Sequence, residues 1–505
     1  MRLPRSSIIR SKVPGILKKV PARIFAAKAG IPLDLAMILK RDERLVPPVP
    51  LIEGLCFTYG LTPDAIVGLD PAVGLKELAP GWYARSDGKV RIAVCGMGNL
   101  GHVFAGLLAH RPDFEVSVLV SSEQRAEHIR RGLTETGAIR VSGLGGDTAG
   151  TPALVTHQPA AALAAADLVV ICVPAHAHQL LLGRVVPHMK RGSYLICAPA
   201  WGGFHWKAQA VLAETRSDVR VVGIASIPWM CKLTRPGAEV RVMGAKSING
   251  FVPLQDTDTS FAADACSLLL GMPMVPMASA LDINLSPGNQ ILHSAIAYAM
   301  FRGREDRPLA EAPLLYEGMT QETADIVEQM NNELIAVASG VHAHASGFVP
   351  SRLLSLHNAL RVAYPGQIAD PSTLRSTIAT NAAYRGIRMP MRIIEGGLLL
   401  DTRSRFFAED VPQGMAMIKG IATLAGIATP ILDGVMTWCQ DRMEKQYLIG
   451  DRLIGRDIGE TAAPQVFGID SVSRLVEVSR PSNSGLPQRS PPASSKFGTG
   501  SGFAI

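Results

Sequence analysis

The segment Arg91–Leu108, RIAVCGMGNLGHVFAGLL, constrains the fold of this chain more than any other. A mostly apolar, strand-like run from Val90 to Cys95 leads into Gly96, Gly98 and Gly101 in G-x-G-x-x-G spacing. A helical pattern follows from about Asn99 to His110. The first glycine permits a tight turn, and the second lets the backbone approach a pyrophosphate. The third lets helix pack on strand, while the helix N-terminus faces the phosphates. The spacing alone is weak evidence. Here it follows a strand, opens a helix and begins a β-α-β series, the context that a dinucleotide site requires. Gly96, Met97, Gly98, Asn99, Leu100 and Gly101 are therefore the expected cofactor turn.

Further strand-like runs follow at Glu115–Val120, Leu168–Val173, Ser193–Cys197 and Val219–Ala225, with a helical Ala160–Ala166 among them. Strands alternating with helices imply parallel units with right-handed crossovers. Val240–Met243 and the turn Gly244–Lys246 are expected to end the sheet. Strand ends are where ligands gather in such sheets, so Val173 and Pro174 are placed beside the nicotinamide. The residue closing the second strand should read the ribose 2′ position, where an acid favours NAD. The chain offers Ser121 and Ser122, then Glu123 and Arg125. Ser121 with Arg125 suits a 2′-phosphate and Glu123 suits a free hydroxyl, while Arg125 alone also reads as a solvated loop charge. Local residues leave NAD(H) and NADP(H) both open.

At 505 residues the chain exceeds one typical core, so more than one domain is expected. From about Leu281 helical segments dominate: Gln290–Arg302, Thr320–Val341, Ser351–Ala363, Leu374–Ala383 and Gln413–Ala425. Ile326, Met330, Leu334 and Val337 recur every three or four residues, a core-facing helix stripe. The reading is a basic, Pro-rich extension over 1–88, a dinucleotide-binding domain over 89–275, an all-helical domain over 276–477 and a Ser/Pro/Gly-rich disordered tail over 478–505. Short apolar segments within 33–80 suit a small helical appendage of unassigned function.

Bulk features exclude other classes. No run reaches the roughly 18–20 apolar residues of a membrane span. No basic run is interleaved with aromatics, so nucleic acid is not an expected partner. The formal charge of +7 owes much to the chain start, where eight Lys or Arg precede the first acid, Asp34. That basic start is either a solvated terminus or, over residues 1–30, an organelle presequence. The seven cysteines form no C-x-x-C pair, which argues against disulfides and structural zinc and for a reducing compartment. His176 and His178 lack a third ligand at metal spacing, and no metal site is expected.

Four later segments carry a specific likeness: SIPWMCKL (226–233) with MGAKS (243–247), GNQILHSA (288–295), TNAAYRGIRMPM (380–391) and RFFAEDVPQGMAMIKGIATLAGIATP (405–430). In this order behind a Rossmann domain, over roughly residues 89–475, the chain resembles the octopine/opine dehydrogenases, nearest their marine-invertebrate branch. The resemblance implies a Rossmann domain followed by an all-α domain. It implies condensation of an amino acid's amine with a 2-oxo acid such as pyruvate, reduced by NAD(H) or alternatively NADP(H). It also implies small-molecule substrates only, a monomer or homodimer, and the cytoplasm.

The same resemblance assigns roles that the chemistry justifies. Forming and reducing an imine needs an acid/base that titrates near neutrality, and that role falls on His293, with Asp410 as its orienting carboxylate. Arg405 would grip the oxo-acid carboxylate in bidentate fashion. Asn289, one helical turn before His293, would donate to an oxo-acid oxygen or cap its helix. Ser226 and Cys231 fall beside the amino-acid substrate. Trp201 replaces a polar residue of related octopine enzymes, which puts an arginine-sized amine in doubt. Singly, each has a plainer reading: His293 a core histidine, Asp410 a turn residue, Arg405 a surface charge and Cys231 inert packing. Two rival functions stay open. One is a ketopantoate or glycerol-3-phosphate type reductase with a catalytic lysine such as Lys246; the other is a non-catalytic NAD(P) sensor.

Overall fold

A computed structural model describes residues 5–70, 87–215, 218–254, 258–345, 355–364 and 366–481, apart from positions 19, 30, 32 and 48. The tail expected over 478–505 lies mostly outside these residues. Its first part does not: the last helix, Val472–Ser479, runs past 478 and buries Val478 and Ser479.

The chain opens on a short antiparallel pair, β1 (Ile9–Ser11) and β2 (Val67–Leu69), with the helices Ala22–Ala29, Leu33–Leu39 and Val49–Tyr59 between them. Ile9, Val13 and Phe25 are fully buried, although all three fall in the stretch considered as a presequence. The Ser6 hydroxyl and Ser7 amide both donate to Asp264, in the helix Thr259–Leu270 of the next domain, so the appendage is docked.

The cofactor domain is built on strands β3 (Val90–Cys95), β4 (Phe114–Leu119), β5 (Ile139–Ser142), β6 (Thr148–Gly150), β7 (Leu154–Thr156), β8 (Leu168–Ile171), β9 (Tyr194–Cys197), β10 (Arg220–Ile224), β11 (Trp229–Arg235), β12 (Glu239–Ala245), β13 (Asn249–Leu254) and β14 (Met274–Pro276). Eight make one sheet in the order β14-β13-β10-β9-β8-β3-β4-β7. Runs such as Leu168–Ile171 are buried on both faces, as a sheet covered by helices requires. Strand order reverses between β3 and β8, and a crevice opens there at the carboxyl ends.

One expectation needs correction. Val240–Met243 does not end this sheet. It lies in β12, within a separate four-stranded sheet of order β11-β12-β5-β6. The main sheet instead continues through β13, antiparallel to β10, and then β14. The residues explain why: β12 alternates buried and exposed positions, the mark of a one-sided sheet, whereas β13 is buried over Phe251–Leu254.

The second domain is helical, around Asn289–Phe301, Gln321–His344, Ala416–Ala425 and Pro430–Arg442, with one added hairpin of β15 (Met391–Ile394) and β16 (Gly397–Leu400). Thr320 starts the long helix by accepting from the Thr323 amide, and Met330, Leu334 and Val337 are fully buried along it. Ile326 of the expected stripe is only half buried, and Val327 takes the core position. Pro412 has no N–H for the helical ladder, and the chain widens into a π turn over Asp410–Met415, all of it buried.

Candidate active site

The cofactor turn comes first. Gly96 sits at φ +103°, where a Cβ would meet Val173 Cγ1 at 2.6 Å and the Cys172 carbonyl oxygen at 2.8 Å. β3 and β8 thus approach so closely there that only glycine fits. Gly98 is the N-cap of Asn99–His110 with no side chain capping the first amides, and nothing lies within 4 Å of where its Cβ would be. Open space facing uncapped amides is what a pyrophosphate needs, so these residues fit a dinucleotide. Met97 is buried and Leu100 half buried. The Asn99 side chain is committed elsewhere, accepting from the Leu233 amide of β11 at 3.0 Å.

At the ribose end Ser121 and Arg125 are exposed. Ser122 caps Glu123–Thr136 by accepting from the Arg125 amide. Glu123 is bonded by Arg130 and by His157 Nδ1, the latter at 2.7 Å, and these bonds hold its carboxyl below the usual carboxylate range. Val173 and Pro174 follow β8 at the crevice and are half buried. His178 is a core residue bonded to the Val173 carbonyl oxygen, and burial pushes its pKa well down.

Across the crevice, two residues 117 positions apart in sequence meet. His293 Nδ1 lies 2.8 Å from Asp410 Oδ2 and Nε2 lies 2.8 Å from the Tyr316 hydroxyl, with all three side chains buried. Phe406 stacks on the imidazole at 3.8 Å and 16°, fixing its plane. Burial pushes the Asp410 carboxyl up, and the hydrogen bond from His293 partly offsets this. Burial also pushes the Tyr316 phenol up, so it stays protonated, and its hydroxyl pairs with Nε2. Nδ1 pairs with the Asp410 carboxyl, which fixes the orientation of the ring.

Arg405 begins the short helix Arg405–Ala408, and its Nε donates to Glu409 Oε2 at 2.8 Å. The guanidinium is largely exposed while Glu409 is buried. Glu409 also accepts from the Ala175 amide at 2.7 Å, and Lys207 Nζ donates to Gln413 Oε1 at 2.6 Å, so the two domains are bonded beside the site. Burial lowers the Lys207 pKa to about 7. Trp201 leaves β9 toward the same joint, where a Cβ on Gly414 would lie 3.1 Å from its ring.

The remaining candidates spread out. Asn289 is exposed at the first position of its helix; Gly288 is the cap, so Asn289 does not cap. Cys231 packs against the cofactor-domain core, where burial pushes its thiol up to about 12. Ser226 bonds Asn249 and Lys246. Sequence reasoning missed Tyr316, Phe406 and Glu409. Glu409 had a readable signal, its four-residue spacing from Arg405. Tyr316 stands in an irregular segment with none.

Residues 276–443 match the family model of the NAD/NADP octopine/nopaline dehydrogenase alpha-helical domain, and residues 92–199 that of ketopantoate reductase PanE/ApbA. Tauropine dehydrogenase of Arabella iricolor is 30% identical over 397 residues, covering 77% of this chain and 100% of its own length. Octopine dehydrogenase of Pecten maximus is 29% identical over 396 residues, covering 77% and 98%. The solved octopine dehydrogenase with NADH and L-arginine has a TM-score of 0.69 at 28% identity, covering 77% of this chain and 98% of that one. The same enzyme with NADH and pyruvate has a TM-score of 0.67.

Proposed function

This chain belongs to the opine dehydrogenases, and from that premise we propose how its own residues carry out the reaction. The enzyme is an NAD(P)-dependent oxidoreductase acting on CH–NH bonds, with NAD(H) the favoured cofactor. It condenses a 2-oxo acid with an amino acid's amine and reduces the product. We take pyruvate as the oxo acid, since a relative binds it.

The observation that carries the proposal is the buried Asp410–His293 pair, whose Nε2 meets the Tyr316 hydroxyl. The amine attacks the oxo-acid carbonyl to give a carbinolamine, which must lose water to become an imine. His293 Nε2, once substrate replaces the Tyr316 hydroxyl on it, takes a proton from the incoming ammonium and so frees the amine to attack. It then returns that proton to the carbinolamine hydroxyl, which leaves as water, while Asp410 stabilises the transient imidazolium. Arg405, its Nε fixed by Glu409, presents its remaining N–H groups to the oxo-acid carboxylate. When bound, the reduced nicotinamide supplies the hydride for the imine carbon. Gly96, Gly98 and Gly101 hold its pyrophosphate. Trp201 packs close to Gly414 at the domain joint, and its bulk there supports a small amine.

On this reading the enzyme works as a monomer or homodimer in the cytoplasm. Its seven cysteines are free, as in a reducing compartment. No described helix is long and apolar enough to cross a membrane. The test is NADH oxidation by the purified protein with pyruvate, with and without alanine, glycine, β-alanine, taurine or arginine. Turnover should require pyruvate and an amine together. Oxidation with pyruvate alone would make the protein a simple oxo-acid reductase.

A further inference from the structure

The proposed chemistry uses His293, Asp410 and Arg405, all on the helical side, and leaves a cation on the opposite wall without a task. Lys246 follows β12 and is half buried, and its Nζ donates to Ser226 Oγ. The Ser226 hydroxyl donates in turn to Asn249 Oδ1 at 3.0 Å, while Asn249 Nδ2 donates to the Ser226 carbonyl oxygen at 2.8 Å. The Ser226 proton is thus committed and its lone pair is turned to the ammonium. An ammonium has three N–H donors, and this bond uses one. Among the described residues no carboxylate lies within ion-pair distance of Nζ, and burial lowers its pKa to about 8 with no acid offsetting the effect. A desolvated cation lacking its counter-ion is costly, so the cluster is incomplete without an anion.

Its position identifies that anion. Ser226 leaves the carboxyl end of β10, beside the β9 end that carries Trp201, which is the ligand-binding edge of such a sheet. The end of β12 also faces the helical domain: a Cβ on Gly244 would lie 3.7 Å from Gln367 Oε1 and 3.9 Å from Ala383 Cβ. Tyr384, next to Ala383, stacks on Tyr316 at 4.3 Å, and Tyr316 bonds His293. A chain of contacts therefore runs from Gly244, two residues before Lys246, to the imidazole. The two carboxylates beside His293 are taken, Asp410 by the imidazole and Glu409 by Arg405 and Ala175. A second cation on the amine finds no free acid there, whereas an anionic end finds Lys246.

We propose that Lys246, oriented by Ser226 and Asn249, binds the carboxylate or sulfonate of the amine substrate and so selects amines with an acidic end. This rests on the reading that the chain condenses an amine with a 2-oxo acid.

The test compares alanine with its neutral isostere alaninamide, at fixed NADH and pyruvate, in the native enzyme, Lys246→Met and Lys246→Arg. The native enzyme should show a KM for alanine at least about tenfold below that for alaninamide, the scale of one charge-assisted contact. Lys246→Met should abolish the difference by raising the alanine KM toward that for alaninamide while the pyruvate KM stays in place, and Lys246→Arg should restore part of it. Agmatine, without an acid, should be poor throughout. Retention of the alanine preference in Lys246→Met overturns the proposal, as does a shift confined to the pyruvate KM. Titrating alanine into each NADH-loaded protein decides the matter even if no amine supports turnover. Turnover failing everywhere would overturn the enzymatic reading, whereas alanine binding that still depends on Lys246 would uphold the anion site.

Discussion

His293→Ala is expected to lower kcat/KM for the pyruvate–amine reaction by about a thousandfold, the middle of the range for a general acid/base, while NADH affinity stays unchanged. The separation follows from placement: His293 sits on the helical domain against Asp410, Tyr316 and Phe406, whereas the turn proposed for the phosphates, Gly96–Gly101, lies on the cofactor domain. Without the imidazole the carbinolamine oxygen must leave unprotonated by Nε2, and Asp410 loses its donor. Tyr316→Phe is the informative companion. It keeps the ring stacked on Tyr384 and removes only the hydroxyl, so roughly a tenth or more of the activity should survive if the phenol merely occupies Nε2 before substrate arrives. A fall as deep as that of His293→Ala would instead make Tyr316 the proton relay. Steady-state kinetics with a parallel NADH fluorescence titration separates these outcomes.

Gly101→Ala is expected to weaken NADH binding on the order of a hundredfold and to lower Tm, because a single methyl has nowhere to go. A Cβ there would lie 1.9 Å from the Gly96 carbonyl oxygen, a backbone atom that can move only if the whole turn opens. The same turn aims the amides at the pyrophosphate, so shape and affinity should fail together. Gly183→Ala serves as the control. Gly183 is exposed in the helix His178–Val185 with nothing within 4 Å, and alanine there should stabilise by about 0.5–1 kcal/mol and leave binding unchanged. Equal loss in both variants would mean that the turn has no special role.

The sequence revealed most where interactions are local. Strand, glycine turn and helix occupy twenty-one consecutive residues, Val90–His110; Gly96 and Gly101 answer to contacts within that unit or with the neighbouring strand, and Gly98 to open space at the helix start. The pairing of His293 with Asp410 spans 117 residues and no local pattern encodes it; it was readable only through the likeness to known enzymes. Tyr316 was invisible because a lone tyrosine in an irregular segment carries no spacing signal. The second sheet was misassigned although β12 alternates apolar with polar residues, because a four-residue window hid that alternation. The hairpin at Met391–Leu400 hides in a short apolar pair around Gly396 and Gly397, both at positive φ, within an otherwise helical domain.

The most direct measurement follows the hydride itself. NADH carrying deuterium on the transferred face of C4 is incubated with the protein, pyruvate and alanine, and the products are read by mass spectrometry and NMR. The account predicts one deuterium on the carbon that was pyruvate's carbonyl, within a secondary amine joined to alanine, and none of this product in His293→Ala. Deuterium appearing in lactate, at a rate indifferent to alanine, would contradict it.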